Sequence, residues 1–447
     1  MSHDLREHAL AIWHAGVDAV RPRDLMREAL GGAPTRRGAS ARLWDAVARA
    51  SRVLVVGGGK AGAAMSAALE EVLADRLDKV TGVVNVPADL VRPLKGIRLH
   101  AARPAGSNHP TVEGVVGTEE MLKLIADAGP DDICVCLLSG GGSALLPAPA
   151  PGITLEDKQT VTRLLHACGA TIHEMNAVRK HLSRIKGGGL AQAFRGKELF
   201  SLIISDVVGD PIDVIASGPT AADSSTFADA LRVLDRYGIG EKVPESVRRR
   251  LEEGAAGRQP ETLKQLPANV HNIVIGNNRR ALEAAHQKAQ ELGYTVLDLG
   301  SFIEGETQQV AVVVAGLVRS ILADRRPLAP PCCILSGGET TVTLGSDAGK
   351  GGRNQEFVLA VAAALGPQAM LRLVVLSGGT DGEDGPTDAA GAVADAGTLL
   401  QAAAKGLDVQ DFLERHDAYP FFEAVAGLIC TGLTQTNVMD VRVILVA

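Results

Sequence analysis

Between residues 53 and 65 the chain reads VLVVGGGKAGAAM, an apolar run broken by Gly57, Gly58, Gly59 and Lys60 before a small-residue helical pattern resumes. Gly57, Gly59 and Gly62 satisfy G-x-G-x-x-G, the spacing that brings a dinucleotide pyrophosphate against a strand-to-helix turn. A nicotinamide site of that type carries an acid about 20 residues further on, at the end of the second strand, to accept the ribose hydroxyls. Here the second strand, VTGVVNV, ends at Asn85, and the next acid, Asp89, lies beyond Pro87. Lys60 fits a different task. It is a point charge at a helix N-terminus, where the dipole and the free N–H groups already favour phosphate, and a phosphoryl group in transfer gains from such a cation. The G-x-x-x-x-G-K-[ST] pattern is absent, which excludes a P-loop kinase.

Two further stretches carry charges suited to this chemistry. In IISDVVGDPIDVIASGPT, Asp206 follows an apolar strand and Asp210 comes one glycine turn later. Carboxylates at a strand end beside phosphate loops suit Mg²⁺, which takes one or two of them together with substrate phosphates. Asp206 either orients an attacking hydroxyl or binds the metal, and Asp210 also reads as an Asx-turn or a helix N-cap. In GKGGRNQEFVLAVAAAL, Arg353 follows two glycines and precedes a helix, where a guanidinium could clamp a carboxylate bidentately or neutralise a phosphate.

One local pattern recurs. Apolar strands stop at Ser139-Gly140-Gly141-Gly142-Ser143, at Ser336-Gly337-Gly338-Glu339 and at Ser377-Gly378-Gly379. In an open α/β sheet such strand ends expose backbone N–H groups to an anion, so the first two are candidate phosphate or nucleotide loops. In CILSGGETTVTLG a second alternating strand follows at once, so that loop is alternatively the turn of a β-hairpin. The acidic SGGTDGEDGPTDAAG contains Asp381, Glu383, Asp384 and Asp388; it supplies a metal ligand, Asp381 being the candidate, or is a hydrated Gly-Asp loop.

These residues need a frame. Apolar β-branched runs (RVLVVGG, VTGVVNV, ICVCLLSG, LFSLIISDV, HNIVIGN, CCILSGG, RLVVLSGG, DVRVILV) alternate with helical patterns, which predicts α/β layers with largely parallel strands. Helices are expected over 63–77 and 155–168, the second opened by Thr154 with Asp157 three residues on. The N-terminal segment, with Leu5, Ile12, Trp13 and Val17 on one face and no basic leader, predicts a packed helix. Residues 253–272 lack apolar periodicity and carry prolines, which predicts a linker between domains of 1–252 and 273–447. RRPLAPPCC is a second candidate crossing.

With 447 residues, a net charge of −7 and 3% aromatics, the chain has neither a basic field nor a stacking platform for nucleic acid. Arg248 to Arg250 are followed by Glu252 and Glu253 and predict a solvated helix face. The apolar run from Val310 carries Arg319 and is short for a membrane span. The six cysteines show no metal-ligand spacing; Cys134 and Cys136 lie in an apolar strand, and reduced cytoplasmic thiols fit best.

At these residues a resemblance becomes specific. The blocks VVGGGKAG, SNHPTVEG, LLSGGGSALL, MNAVRKHLSRIKGGGLA, ISDVVGD, ASGPT, LSGGETTVT, GKGGRNQEF, SGGTDGEDGPTDAAGAV and TGLTQTNVMD run in order along nearly the whole chain. They resemble the glycerate 2-kinases of the class whose C-terminal half is called the MOFRL domain, some of whose members have been labelled hydroxypyruvate reductases. The resemblance implies a larger Rossmann-like N-terminal domain with a mostly parallel sheet and a smaller C-terminal α/β domain with a mixed sheet. It also implies a cleft between them, with Lys60 and Arg353 facing each other across it and Asp206 close by. It implies ATP and Mg²⁺ as cofactors and D-glycerate as the substrate converted to 2-phosphoglycerate, with a homodimer as one option for the assembly. An NAD(P)H-dependent hydroxypyruvate reductase and a non-catalytic phospho-ligand sensor are the alternatives.

Overall fold

A computed structural model of the chain describes residues 2–30, 39–107, 109–345 and 347–447. Asn108 of the SNHPTVEG block therefore lies outside the described residues. The chain forms two compact units, the first of Pro22–Ile275 and the second of Met1–Arg21 with Gly276–Ala447.

The first unit is built on six strands: β1 Val53–Gly58, β2 Val80–Pro87, β3 Ile97–Arg103, β4 Ile133–Leu138, β5 Glu198–Ile204 and β6 Val270–Gly276. They lie in the order β3-β2-β1-β4-β5-β6, and the pairings from β3 to β5 are parallel. Every residue of β1 and β4 is buried, as continuous apolar runs must be in a parallel sheet covered on both faces. Val53 pairs with both Val80 and Ile133, which brings the carboxyl ends of β1, β2 and β4 level. The strand order reverses between β1 and β4, the place where sheets of this order hold ligands. β3 was not among the expected strands. Its sequence, IRLHAAR, mixes exposed polar with buried positions because it is an edge strand with one neighbour.

The helix expected over 63–77 spans Gly62–Val72 and gives way to a 3₁₀ turn, Ala74–Lys79. The helix Leu155–Ala167 starts where Thr154 and Asp157 predict it: Thr154 N–H donates to Asp157 Oδ2 at 2.9 Å and Asp157 N–H to Thr154 Oγ1 at 3.0 Å.

The second unit holds β7 Thr295–Asp298, β8 Gly305–Glu306, β9 Cys332–Gly338, β10 Thr340–Thr341, β11 Leu373–Gly379, β12 Gly391–Ala394, β13 Leu428–Ile429 and β14 Asp440–Val446. Six of these form a mixed sheet in the order β13-β12-β11-β14-β9-β7. β14 runs antiparallel to both β9 and β11, so its first residue, Asp440, stands opposite Gly338 and Gly379 at their carboxyl ends. The hairpin alternative for CILSGGETTVTLG does not form: β10 pairs in parallel with β8, not with β9.

The unit boundaries differ from the expected ones in three ways. Strand β6 joins the first sheet beside β5, so the crossing falls after residue 275 and the segment 253–272 belongs to the first unit. The helix Ser2–Asp18 joins the second unit, because Trp13 is fully buried there with its Nε1–H donating to Gly378 O at 3.2 Å, and Arg6 pairs with Asp395 at 2.9 Å. The segment RRPLAPPCC divides nothing; it links the helix Thr307–Asp324 to β9 inside the second unit.

That helix, at 18 residues, is long and apolar enough to cross a membrane by length and composition alone. Its Ala311, Val314, Val318 and Ile321 lie in the core with Phe357 and Phe421. On the helix Glu245–Ala255, Arg249 is exposed and Arg248 pairs with Glu241, but Arg250 lies over Phe227 and donates to His181 O at 2.9 Å, so this face is not purely solvated.

Candidate functional site

At the reversal of strand order, the loop after β1 and the loop after β4 are hydrogen-bonded to each other. Lys60 N–H donates to Gly140 O at 2.8 Å and Ala61 N–H to Ser139 Oγ at 3.0 Å. This closeness explains the glycines: a Cβ would stand 2.0 Å from Leu137 O at Gly57 and 2.0 Å from Ser139 Oγ at Gly59. At Gly58 it would press on Leu146 and at Gly142 on Ala216.

Gly141 differs. Its φ of 75° is left-handed, and a Cβ there would make only ordinary contacts, 3.4 Å from Arg103 Nη2 and 3.5 Å from Lys60 Cγ. The half-buried turn is thus flanked by Lys60 and by Arg103, which ends β3 and is buried. Sequence reasoning missed Arg103. It is remote along the chain, and only an arginine closing an edge strand could have marked it.

Ser143, one residue past the start of the short helix Gly142–Leu145, meets a second group of cations. Its Oγ accepts from Arg179 Nη2 and from Lys186 Nζ, the latter at 2.6 Å, and lies 3.0 Å from Ser217 Oγ. Ser217 Oγ in turn donates to Asn176 Oδ1 at 3.2 Å. The helix Ile172–His181 supplies Asn176, Arg179 and Lys180. Lys180 is buried against Asp223 at 3.1 Å and Asp213 at 3.3 Å. Burial pushes the Lys186 ammonium well below its ordinary range, and Arg179, Lys158 and Lys180 add to the effect. Lys158, buried with Leu182 O as its hydrogen-bond acceptor, is lowered to about 7 by burial and by Arg179 and Arg250. None of these cations was singled out from the sequence, although the block MNAVRKHLSRIKGGGLA contains most of them.

Asp206 lies half-buried two residues beyond β5. Asp210 has a left-handed φ of 55° and its N–H donates to Val207 O at 3.1 Å, which makes it the corner of a tight turn. Among the described residues no group of three or more His, Cys, Asp or Glu is placed to hold a metal ion. A Mg²⁺ held by one or two carboxylates and completed by substrate phosphates needs no such group.

In the second unit Arg353 opens the helix Arg353–Met370. Its Nε and Nη2 donate to the two oxygens of Asp440 at 2.8 and 3.0 Å, and its Nη1 lies 2.8 Å from Glu339 Oε1. The bidentate clamp foreseen for a ligand is thus occupied by the protein's own carboxylate. Asp440 also accepts from Asn354 Nδ2 at 2.9 Å and Arg442 Nη2 at 3.2 Å. Burial alone would raise the Asp440 carboxyl, but Arg353 and Arg442 hold it below its ordinary value. Asp384 accepts from the N–H groups of Asn354 at 3.0 Å and Gln355 at 2.9 Å at the helix start. Its burial outweighs these bonds and pushes it up to about 6.

The Ser336-Gly337-Gly338 stretch is not an open anion loop. All three residues are buried strand, and a Cβ would stand 1.7 Å from Asn278 Oδ1 at Gly337 and 2.4 Å from Ile303 O at Gly338. Their smallness admits neighbouring chain. Asp381 Oδ1 accepts from Glu383 N–H at 3.2 Å, an Asx-type turn. Asp388 bonds the Tyr419 hydroxyl at 2.7 Å.

A sheet of order 3-2-1-4-5-6 with a glycine turn beside Lys60 and Arg103 at its reversal point, in a chain with a second, mixed-sheet unit, defines a two-unit α/β protein of the doubly wound type. The chain belongs to the family of the domain of unknown function DUF4147, matched over residues 8–252, and carries the MOFRL family domain over residues 332–440. It is 42% identical to the glycerate 2-kinase of Pyrococcus horikoshii, over 88% of this chain and 87% of that protein. It is 39% identical to the human glycerate kinase, over 98% and 93%. A protein of Agrobacterium vitis that bears the provisional name hydroxypyruvate reductase is 43% identical over 88% and 87%. The crystal structure of the glycerate kinase of Thermotoga maritima superposes with a TM-score of 0.86 at 35% identity, covering 100% of both chains.

Proposed function

We propose that this protein is an enzyme that transfers the terminal phosphoryl group of ATP to the 2-hydroxyl of D-glycerate, giving 2-phospho-D-glycerate and ADP. The observation that carries the reading is the turn at Gly141, with Lys60 and Arg103 at its side, in a chain so similar over nearly its whole length to proteins named glycerate kinase. A glycine turn at the reversal point of a parallel sheet, lined by two cations, suits a polyphosphate. Lys60 is positioned to offset the charge that develops on the phosphoryl oxygens.

Asp206, at the mouth of β5, orients the attacking hydroxyl or contributes to a Mg²⁺ site, with Asp210 the second candidate. When bound, Mg²⁺ would neutralise phosphate charge. Arg353 is the proposed holder of the glycerate carboxylate. Asp440 fixes its guanidinium from one side, so an incoming carboxylate would replace the more exposed Glu339 on Nη1 and leave the Asp440 fork intact.

The reductase alternative rests on the G-x-G-x-x-G spelling and on the Agrobacterium relative's name. Against it stands Asn85: its side chain is fully buried and its Nδ2 donates to Leu145 O at 2.7 Å and Gly114 O at 3.1 Å, so it does not offer the acidic ribose acceptor that such a site uses. The deciding experiment supplies purified protein with D-glycerate and Mg-ATP, following ADP release and product by phosphorus NMR, beside hydroxypyruvate with NADH and NADPH. ADP formation with a 2-phosphoglycerate signal is the expected result. Consumption of NADH or NADPH with ATP left untouched refutes it.

A further inference from the structure

Among the described residues, the two cations bonded to Ser143 Oγ, Arg179 and Lys186, have no ion pair with an acid. Lys180 follows Arg179 on the same helix, and Lys158 bonds Leu182 O just beyond it; the acids Asp213 and Asp223 both engage Lys180. Among the described residues Arg179 is bonded only to Ser143 Oγ and Asn176 Oδ1. Among the same residues Lys186 Nζ is bonded only to the Ser143 carbonyl and hydroxyl, Ala216 O and Ser217 Oγ. Neither meets a carboxylate. Lys186 is 3% exposed, and an uncompensated buried charge is among the costliest features a fold can carry.

The backbone beside them is strained as well. Ala216 and Ser217 both hold left-handed φ values, 51° and 63°, a conformation that side chains resist. Gly187 N–H, donating to Ser217 O at 3.0 Å, pins this segment with the Ser217 hydroxyl 3.0 Å from that of Ser143. Ser143, Arg179 and Ala216 are only partly buried, so the cluster has an open side.

We propose that Arg179 and Lys186, with the hydroxyls of Ser143 and Ser217, form an oxyanion subsite that receives one charged group of the reaction's own substrates. This inference rests on the kinase reading, which supplies two sources for such a group: the terminal phosphate of ATP and the carboxylate of D-glycerate. Both present oxygens that accept from a guanidinium, an ammonium and two hydroxyls at once. The bound anion balances the surplus charge and takes the donors that Ser143 Oγ now accepts.

The test is calorimetric titration of the full-length protein with inorganic phosphate, D-glycerate and ATP, each alone, in wild type, Arg179→Gln and Lys186→Met. Thermal unfolding of the ligand-free proteins accompanies it. Each variant is expected to weaken one of these ligands ~10- to 100-fold, the loss typical of a single charge-assisted hydrogen bond. Ligand-free unfolding temperatures should equal or exceed wild type, because an unbalanced charge has been removed. Selective loss of D-glycerate binding assigns the carboxylate to the subsite in place of Arg353, and selective loss of ATP and phosphate binding assigns the phosphate.

Unchanged affinity for all three ligands, with lower unfolding temperatures, overturns the proposal and makes the cations structural. Ser217→Ala keeps both cations and is the second variant should the others fail to fold; several-fold weaker binding is expected, and wild-type affinity counts against the subsite. The two readings fail separately. Arg179-dependent phosphate binding without ADP formation from glycerate leaves the subsite and removes the kinase, whereas ADP formation with variant-insensitive binding does the reverse.

Discussion

The same three-residue stretch, Ser-Gly-Gly, falls at strand ends in both units, and its surroundings differ between them. After β4 the chain turns out of a parallel sheet toward a helix, and Gly141 stands half-buried in a left-handed turn between Lys60 and Arg103. At the ends of β9 and β11 the words fall inside strands paired with the antiparallel β14, and their glycines are packed against Asn278, Ile303 and Trp13. A parallel strand must leave the sheet to make its crossover, so its terminal backbone is freed for a ligand, whereas an antiparallel neighbour keeps the ladder paired to the end. The charges follow the same division. The loop of the first unit gathers cations, while the arginine of the second unit is neutralised by Asp440 and Glu339.

The strongest test of this contrast is Asp440→Ala. It leaves Arg442 buried without its ion-pair partner and frees the Arg353 fork, and a loss of ~3–5 kcal/mol in unfolding free energy is expected for breaking a buried pair this way. Chemical denaturation measures it. A change below about 1 kcal/mol would mean that the pair does not organise the second unit.

Next in size is Lys60→Ala, expected to lower kcat/KM by ~10²-fold or more while the unfolding midpoint stays near wild type. Near-normal kcat/KM would remove Lys60 from the mechanism.

Paired glycine substitutions sharpen the comparison. Gly337→Ala drives a methyl into Asn278 and should cost ~1–3 kcal/mol of stability, as overpacking does. Gly141→Ala meets no clash and strains only its left-handed φ, about 1 kcal/mol, so its effect should appear chiefly in substrate affinity. Equal stability losses at the two positions would erase the distinction between a packed and an open Ser-Gly-Gly.

The most gradual expected effects, spread over several pH units, are in pH dependence, and they run oppositely in the two units. Lys158 is lowered to about 7 in the folded state, so between about pH 7 and 10 the unfolded chain binds more protons and stability rises with pH. That contribution is present above the unfolded lysine value and is lost as pH falls through 7. Asp384 is raised to about 6, so its contribution is complete below the unfolded carboxyl value and is lost as pH rises from about 4 through 6. Each slope is at most about 1.4 kcal/mol per pH unit. Lys158→Met should flatten the alkaline rise and Asp384→Asn the acidic fall, read by hydrogen exchange in the corresponding unit; slopes unchanged by the variants would assign them to other groups.

The sequence alone determined the elements whose signals are local. The largely apolar runs of β1, β4, β9, β11 and β14, buried along their whole length, identify themselves because strands buried on both faces need no alternation. The Thr154–Asp157 box fixes a helix start through two hydrogen bonds spanning three residues. The turn of glycines and Lys60 ahead of the helix Gly62–Val72 was likewise legible, since it is a local feature, and the ordered blocks along the chain gave the family.

Tertiary structure decided what depends on distant neighbours. Only folding brings Arg103 from the end of β3 to Gly141, joins Lys186 and Arg179 to Ser143, fills the Arg353 fork with Asp440 and packs the first helix against Gly378. Whether a Ser-Gly-Gly is a ligand loop or a place where another chain segment presses close depends on the direction of the next strand. Sheet pairing sets that direction, and the residues of the turn do not encode it.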